Sequence, residues 1–455
     1  MGKTYRPYDP RQSFLLPPSP LEWLPDEHLA YFVLDVVEEL KLSAITSKYE
    51  AETRGQPPHD PRMMVALLVY GYCVGERSSR RIEKKTVEDV AFRVLAGGNH
   101  PDHSRISEFR RIHLEALSDL FFQVLMLCRK AKLVKLGHVA LDGTKMKANA
   151  SKHKAMSYQR MKEDEARLKA EIATMFQEAE SIDAAEDARH GKDQRGDELP
   201  DELRRRETRL VRIRQLRAEL EAEAQQQRRE EAAKRDDDDE PPPAATGALP
   251  SHKIPTDKGG APAPKAQRNF TDADSRVMKK GGDYLQGYNC QAAVDEGHQI
   301  IVARAVTNQP PDVEHFAPMV EQVACHCGEP PRAVTADAGY YSEENTAYAL
   351  TQGIDPHIAT GRRKHNEPPP VVHGPAPKDQ GLKQWMARKL ETKKGAAVYA
   401  RRKAVVEPVF GQIKEARGIR AFLLRGLDKV RGEWSLIAMT HNLLKLYRAT
   451  RLQPA

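Results

Sequence analysis

The chain has 455 residues, of which 40% are hydrophobic and 30% charged, and its formal net charge is +7. This length allows two or three domains, each with its own core. No apolar run approaches the roughly 18–20 residues that cross a bilayer, and the first residues, MGKTYRPYDPRQSF, lack the apolar stretch of a secretory signal. The composition therefore argues against a membrane or secreted protein and predicts a soluble protein of the cytosol.

The cysteines are few and odd in number, which argues against a disulfide framework and fits a reducing compartment. Cys325, His326 and Cys327 form the one cluster in the sequence with the ligand types of zinc. A structural zinc site needs four ligands, usually from paired Cys-x2-Cys spacings, and the sequence has no second pair. We therefore interpret these cysteines as free thiols.

Helical signals fill residues 1–132, which we interpret as an N-terminal domain. Asp60 is placed to cap a helix with Pro61 in its first turn, and the apolar body of that helix predicts burial. Two short helices should follow within 75–98. A long amphipathic helix is then predicted from a cap at Ser104.

Several arginines mark the short helices of this domain. Short helices joined by tight turns suit a helix-turn-helix-like reader of DNA, although a helical bundle with an ordinary basic surface has the same pattern. The candidate DNA contacts are Arg80, Arg81, Arg105, Arg110 and Arg111.

Segment 133–156 contains a predicted strand that carries a carboxylate. Val139 and Leu141 are typical of a buried strand, and Asp142 lies within it. Because desolvating a bare carboxylate is costly, Asp142 needs a metal ion, a cation or a strand end open to water.

A charged insertion follows this strand. Residues 157–235 contain two stretches with helically spaced apolar positions, which predict an antiparallel helical hairpin. Residues 236–268 are rich in Asp and Pro and lack the apolar residues needed for a core, so we predict a disordered linker. We interpret the acidic run at 236–239 as solvated charge rather than as a metal site.

Order returns at residue 269, and 269–455 together with 133–156 predict an α/β domain with a mixed sheet. The pattern indicates a β-hairpin, a helix, a strand ending at Asp337, a helix capped by Ser342, and a further strand. If the strands of Asp142 and Asp337 are neighbours, their carboxylates converge at one edge and repel unless a cation neutralises them. Hard oxygen ligands favour Mg²⁺ or Mn²⁺ over zinc.

The basic residues are concentrated near the C-terminus. Residues 361–455 contain 21 Lys/Arg and 7 Asp/Glu, a net charge of +14, whereas residues 151–270 contain 24 and 26, a net charge of −2. This distribution is expected of a segment that faces a polyanion, and a solvated basic surface is the alternative.

One helical face in the basic segment carries Tyr399, Lys403, Glu407 and Lys414. Pro408 disfavours helical geometry at Glu407, so we expect either a kink or a helix that starts at Pro408. Taken alone, a glutamate flanked by lysines would indicate a surface salt bridge.

Four blocks of the sequence, LDGTKMKANAS, GYNCQAAVD, TADAGYYS and VVEPVFGQIK, resemble the signature blocks of bacterial insertion-sequence DDE transposases. The segment GERSSRRIEKKTVEDVAFRVLAGGNHPDHSRISEFR is similar to their N-terminal helical domain, and HNLLKLYR is similar to their closing helix. The resemblance covers nearly the whole chain apart from the helical hairpin and the linker.

The resemblance implies an RNase-H-like catalytic domain in which Asp142, Asp337 and Glu407 bind two Mg²⁺ (or Mn²⁺) ions. It also implies a Tyr-Arg-Glu-Lys signature around the glutamate, which Tyr399, Glu407 and Lys414 fit.

The arginine of that signature has two candidates. Arg402 has the expected gap of two residues after Tyr399, and Lys403 has the expected gap of three residues before Glu407. Helical geometry places Lys403 on the face of the glutamate, so we favour Lys403 for this position. The candidate DNA contacts in this segment are Tyr399, Arg402, Lys403 and Lys414.

The function implied by the resemblance is cleavage of the element's ends and transfer of the 3′-hydroxyl ends into target DNA. The expected partners are double-stranded DNA, both terminal inverted repeats and target, and a second copy of the chain in a homodimer, at the nucleoid of a bacterial cytoplasm. An RNase-H-like nuclease or resolvase, and a DNA-binding regulator derived from a transposase, are the alternatives.

Overall fold

The structure is a computed structural model that describes residues 19, 22–50, 57–190, 201–236, 249–250, 252–361, 372 and 381–451. The chain divides into two units, Met1–Ala131 with Leu436–Ala455, and Lys132–Ser435. No helix among the described residues is both long enough and apolar enough to cross a membrane.

The first unit is helical, as the sequence predicts. The predicted cap is confirmed, because the Asp60 carboxylate accepts a hydrogen bond from the Arg62 backbone N–H at 2.7 Å and Pro61 opens the helix. Leu67 and Leu68 in that helix are fully buried. Besides part of the last helix of the chain, the described elements of this unit are α1 (Leu29–Glu39), α2 (Ser43–Glu50), α3 (Pro61–Val74), α4 (Ser79–Glu88), α5 (Val90–Leu95), α6 (His103–Ile112) and α7 (Leu114–Lys130).

The prediction of one long helix from Ser104 is wrong. Asp102 is the cap, accepting from the Ser104 backbone N–H at 2.7 Å, and the helix ends at Ile112 before α7 begins. Between them, His113 leaves helical geometry (φ −104°, ψ 17°), and its buried ring lies 2.8 Å from the Tyr49 hydroxyl. A tertiary contact of this kind is not visible in helical periodicity.

The second unit is built on a mixed sheet, which confirms the expected α/β class. In chain order its elements are β1 (Val139–Lys147), β2 (Ala155–Ser157), α8 (Tyr158–His190), α9 (Asp201–Asp236), β3 (Gln267–Asn269), β4 (Arg276–Lys280), β5 (Asp283–Asp295), β6 (Ile301–Thr307), α10 (Phe316–Cys327), β7 (Ala333–Ala336), α11 (Glu343–Thr351), β8 (Asp355–Ile358), α12 (Leu382–Glu391), α13 (Lys393–Gly411) and α14 (Leu427–Arg451, from Leu436 in the first unit).

The sheet has the order β4-β5-β1-β7-β8, with β6 also paired to β5. Strand β5 is antiparallel to β1, β4 and β6, whereas β1, β7 and β8 run parallel to one another. The predicted hairpin of β5 and β6, the helix after it and the Ser342 cap of α11 are all present. The short strands β2 and β3 pair separately.

Helices α8 and α9 form the predicted hairpin. Met161 and Leu168 of α8 pack in one buried core with Ile213 and Leu220 of α9. Contacts such as the one between Tyr158 and Glu221, at the start of α8 and well along α9, establish the antiparallel direction.

Part of the predicted disordered linker, residues 236–268, packs on the helical hairpin. Ile254 and Ala266 are buried in the core of the hairpin, so the described stretch 252–268 is packed, which differs from the prediction of disorder. The hairpin supplies the apolar surface that this stretch lacks. Residues 237–248, which contain most of the acidic run, lie outside the described residues.

Gly287 makes the pairing of β5 with β1 possible, because a Cβ there would lie 2.3 Å from the Met146 carbonyl oxygen. We expect Gly287→Ala to lower the free energy of unfolding by about 3 kcal/mol, since the backbone of β1 would have to move. Urea unfolding measures this. Gly282→Ala is the control, because a Cβ there meets nothing within 4 Å, and equal stabilities of the two variants would contradict the prediction.

Candidate active site

Two aspartates lie where the parallel pairing of β1 with β7 ends. Asp142 lies within β1, which continues to Lys147 paired with β5, and Asp337 directly follows β7. The last paired residues of β1 and β7 are Ala140 and Thr335, and Asp142 and Asp337 each follow two residues later. Parallel strands lie about 4.8 Å apart, so equal offsets bring the two side chains side by side. Each carboxylate accepts a hydrogen bond of 2.8 Å from a backbone N–H just beyond it, that of Gly143 or Gly339. The neighbouring strands assumed from the sequence are therefore present.

Asp142 lies in an environment that disfavours its charge. Burial raises its pKa to about 6, Arg402 opposes this rise, and Asp337 and Asp312 add to it. The Arg402 Nη1 lies 3.0 Å from the Asp142 Oδ2, and the two side chains are 11% and 17% exposed. The guanidinium is thus the cation that accompanies this carboxylate in the structure.

Arg402, and not the favoured Lys403, is the residue that pairs with Asp142. Helix α13 packs on the sheet through Val405, Val406 and Val409, which are buried, and Arg402 lies on the same stripe, one turn earlier. Lys403 is exposed. Lys403 lies on the helical face of Glu407, whereas the buried face of α13, which packs on the sheet, is that of the valines and Arg402.

Tyr399 and Arg402 are neighbours on α13. The Arg402 guanidinium carbon lies 5.9 Å from the centre of the Tyr399 ring. Burial raises the pKa of Tyr399, Arg402 opposes this rise, and Asp337 and Asp142 add to it. Tyr399 therefore lies next to the guanidinium that pairs with Asp142.

Glu407, the glutamate of the predicted signature, has surroundings different from those of Tyr399 and Lys414. It is exposed, and its side chain has no hydrogen bond or ion pair within the described part of the chain. A helix beginning at Pro408 is not formed, because α13 is capped by Thr392 and continues through Pro408 to Gly411, held by its buried valines.

The three predicted metal ligands are not closed around a point. Across the described ranges, the group of acidic or histidine side chains whose ligand atoms all lie within 4.8 Å of one another is Glu83, Asp102 and His103, in the helical unit. Within the described ranges, the pair of Asp142 and Asp337 therefore has no third acidic, histidine or cysteine ligand within that distance.

Lys414 lies in a five-residue π-helical turn, Gln412–Ala416, that follows α13. Its Nζ donates a hydrogen bond to the Thr144 hydroxyl, two residues beyond Asp142 on β1. Burial lowers the pKa of Lys414. Single π-helical turns occur frequently at functional sites, and this one directs a lysine to the strand that carries Asp142.

A further carboxylate, Asp312, was missed by the sequence analysis. Its Oδ1 accepts from Asn289 Nδ2 at 2.6 Å, Gln291 Nε2 at 2.8 Å and Lys145 Nζ at 3.3 Å. The polar residues at alternate positions of the buried strand β5, in the block GYNCQAAVD, were the signal that could have pointed to such a network. The acceptor of these hydrogen bonds, Asp312, lies in the loop after β6. Only folding brings that loop next to β5.

Asp312 also touches the backbone that carries both aspartates. A Cβ at Gly143 would lie 2.9 Å from Asp312 Oδ1, and one at Gly339 would lie 3.4 Å from Asp312 Oδ2. Gly143 follows Asp142, and Gly339 lies two residues after Asp337. Asp312 therefore spans the two segments that position the carboxylate pair.

We expect Asp312→Asn to lower DNA cleavage by about 10²-fold, because a displacement of reacting groups by about 1 Å has effects of this size. The amide would present a donor where three donors now converge. Cleavage rates of a labelled DNA substrate test this, with the nearby Glu314→Gln as the control. A rate within a factor of about three of the wild type would exclude a positioning role for Asp312.

The N-terminal arginines do not behave alike. Arg110 is 6% exposed and donates hydrogen bonds to the Arg77 carbonyl and the Ser79 hydroxyl, so its predicted contact with DNA is corrected to a structural role. The others, Arg80, Arg81, Arg105 and Arg111, are exposed. Arg81 pairs with Glu76, and Arg105 and Arg111 pair with Glu108.

The fold and the site define a mixed α/β domain with two aspartates where the parallel pairing of β1 and β7 ends, and the chain also has a helical unit. Residues 251–443 match a family model described as a transposase DDE domain, and residues 19–111 match one described as a transposase domain (DUF772). The chain belongs to the insertion-sequence DDE transposase family, and this membership implies binding to DNA.

The first match contains Asp337 and Glu407, whereas Asp142 precedes it, before the hairpin insertion. The search of curated proteins gave no match to this chain, and neither did the search of solved structures.

Proposed function

We propose that this transposase cleaves the ends of an insertion sequence and transfers the 3′-hydroxyl ends into target DNA by metal-dependent phosphoryl transfer. The observation that carries the proposal is the equal offset of Asp142 and Asp337 beyond the paired residues of β1 and β7. Two carboxylates held side by side repel each other, and Arg402 supplies a single positive charge to the pair, which leaves a negative charge that a divalent ion would neutralise. Metal-dependent cleavage of DNA ends would use such a pair of carboxylates. Recognition of those ends would give the helical unit a function as well.

The donor set fits Mg²⁺ or Mn²⁺. Oxygen ligands of Asp142, Asp337 and Glu407 suit hard cations, and the groups that influence Asp142 are carboxylates, a guanidinium and a backbone N–H, without Cys or His. Asp142, Asp337 and Glu407 would hold two such ions, which would supply positive charge beside the attacking oxygen (of water in cleavage, of the 3′-hydroxyl in strand transfer) and beside the leaving oxygen. Glu407, exposed on α13, would complete the ligand set.

The remaining side chains position DNA and the carboxylates. Lys414 would hold a backbone phosphate near the scissile bond, since its ammonium group is a point-charge ligand for phosphate. Arg402 neutralises the charge of Asp142 in this structure. When metal ions neutralise Asp142 instead, the Arg402 guanidinium would be free to contact a DNA phosphate. Asp312 would keep the segments after Asp142 and Asp337 in register.

We propose an RNase-H-like fold for the catalytic domain, formed by 133–156 and 269–455. The strand order β6-β5-β1-β7-β8, in which β5 alone runs against the other four, supports this. Residues 1–132 would recognise the terminal inverted repeats through the exposed Arg80, Arg81, Arg105 and Arg111. Pairing of two DNA ends would require at least a homodimer.

The test is incubation of the intact chain with labelled DNA that carries the element's own terminal repeats and with unlabelled target DNA. Cleavage at the repeat end and joining to the target are expected with Mg²⁺ or Mn²⁺ and not with EDTA. Cleavage without joining would indicate a nuclease or resolvase. Binding to the repeats without cleavage under either metal would indicate a DNA-binding regulator.

A further inference from the structure

A groove of about 730 Å³ lies where the end of β1, the segment after it, the β4–β5 hairpin and the loop before α14 meet. Its lining contains four permanently charged cations, Lys147, Lys152, Lys154 and Arg425, and no Asp or Glu. All four are exposed. The groove is therefore a local concentration of positive charge without internal neutralisation, which fits a polyanion.

The walls of this groove are held together by backbone contacts. Arg425 Nε donates to the Asn149 carbonyl at 3.0 Å, and Asn149 Nδ2 donates to the Leu423 carbonyl at 2.7 Å. The Phe422 N–H donates to the Lys147 carbonyl at 2.9 Å. These bonds tie the two sides of the groove to each other and hold the Arg425 side chain and the backbone of Lys147 in place.

The groove is connected to the candidate active site by strand β1. Lys147 follows Asp142 by five residues, about 17 Å along an extended strand. Lys414 reaches the same strand at Thr144, between the two. Burial is the main cause that lowers the pKa of Lys414, and the positive charge of Lys280, at the tip of the β4–β5 hairpin, lowers it further. Cations thus continue from the aspartate pair to the groove.

An aromatic ring lines the groove beside these cations. Tyr284, on β5, is 58% exposed although it is a large side chain next to a buried sheet. Positive side chains along a groove together with an exposed aromatic ring are the combination that binds single-stranded nucleic acid, in which unpaired bases stack on the ring. A duplex, whose bases are already stacked on each other, would leave this ring without a partner.

We propose that this groove binds a single-stranded segment of DNA next to the cleavage point, with phosphates on Lys147, Lys152, Lys154 and Arg425 and one unpaired base on Tyr284. The inference rests on the proposed function for its substrate, DNA. It goes beyond that function by assigning a strand-specific site, separate from the carboxylates, and by requiring that the DNA be locally unpaired there.

The experiment measures binding of a fluorescein-labelled oligothymidylate of about 12 nucleotides to the full chain by fluorescence anisotropy in EDTA. Tyr284→Ala is expected to weaken binding about tenfold, and Tyr284→Phe is expected to bind like the wild type, because stacking needs the ring and not the hydroxyl. The same variants are compared on a blunt duplex, for which little change is expected.

A charge test is independent of the tyrosine. Combining Lys152→Gln with Lys154→Gln should reduce the slope of log affinity against log salt concentration by about 1.4, since each phosphate contact on a single strand contributes about 0.7. Lys258→Gln with Lys265→Gln removes the same charge from exposed positions outside the groove lining and should leave the slope unchanged. Melting temperatures identify any variant that misfolds.

Unchanged binding of the oligothymidylate by both the tyrosine and the lysine variants would overturn the proposal, as would a loss confined to the duplex, which would make the groove a duplex site. Because the binding assay contains no metal, it remains informative if the carboxylate triad proves inactive. If the groove variants bind the oligothymidylate like the wild type, the groove proposal fails. The cleavage assay with Mg²⁺ or Mn²⁺ still tests the proposed function independently.

Discussion

Asp142→Asn, Asp337→Asn and Glu407→Gln are each expected to lower DNA cleavage and strand transfer by about 10³-fold or more. Each substitution keeps the size of the side chain but removes the negative charge that would hold a divalent ion, and the charge stabilisation supplied by bound metal amounts to several kcal/mol. Rates are measured with labelled terminal-repeat DNA in Mg²⁺ and again in Mn²⁺. Binding of the same DNA should be retained, because phosphate contacts by lysine and arginine supply most of the affinity.

The control for these variants is Asp428→Asn, which removes a carboxylate that is 93% exposed and pairs only locally with Arg431. It should cleave like the wild type. The result for Glu407 is the most informative, since this residue is exposed whereas Asp142 and Asp337 lie together. Wild-type cleavage by Glu407→Gln, with both aspartate variants inactive, would reject Glu407 as a ligand and leave Asp312 as the nearest remaining carboxylate.

Arg402→Ala is expected to lower cleavage by about 10²-fold, whereas Lys403→Ala should remain within a factor of about three of the wild type. Arg402 lies 3.0 Å from Asp142 and is 11% exposed, so its loss leaves a half-buried carboxylate without its cation. Lys403 is exposed on α13. The measurement is the cleavage rate at saturating DNA for the two variants side by side.

Arg402→Lys separates charge from geometry. A lysine keeps the positive charge but loses the planar fork that holds a carboxylate or phosphate in a fixed orientation. We expect partial recovery, between the alanine variant and the wild type. If Lys403→Ala is instead the impaired variant, the prediction that Lys403 acts beside Glu407 is correct. The ion pair between Arg402 and Asp142 then has no role in the reaction.

Local patterns determined a large part of this fold. The Asp60 cap, the strand of Asp142, the β5–β6 hairpin and the Ser342 cap each depend on a few neighbouring residues, and all are present. Periodicity could not reveal the break at His113, because it depends on Tyr49, which is distant in sequence. Nor could composition reveal that Ile254 enters the core of the hairpin, since the apolar surface it packs on belongs to α8 and α9.

The sequence by itself determined the order of most helices and strands, one aspartate within a strand and another at a strand end, and the family to which the chain is similar. Only the tertiary structure decided that β1 and β7 are neighbours with equal offsets, that Arg402 rather than Lys403 lies at Asp142, and that Asp312 spans both aspartate segments. The physical reason is that capping and hydrophobic periodicity act within a few residues, whereas ion pairs and strand register join residues far apart in the chain. Their partners are fixed by burial of the whole sheet and by the helix that packs on it.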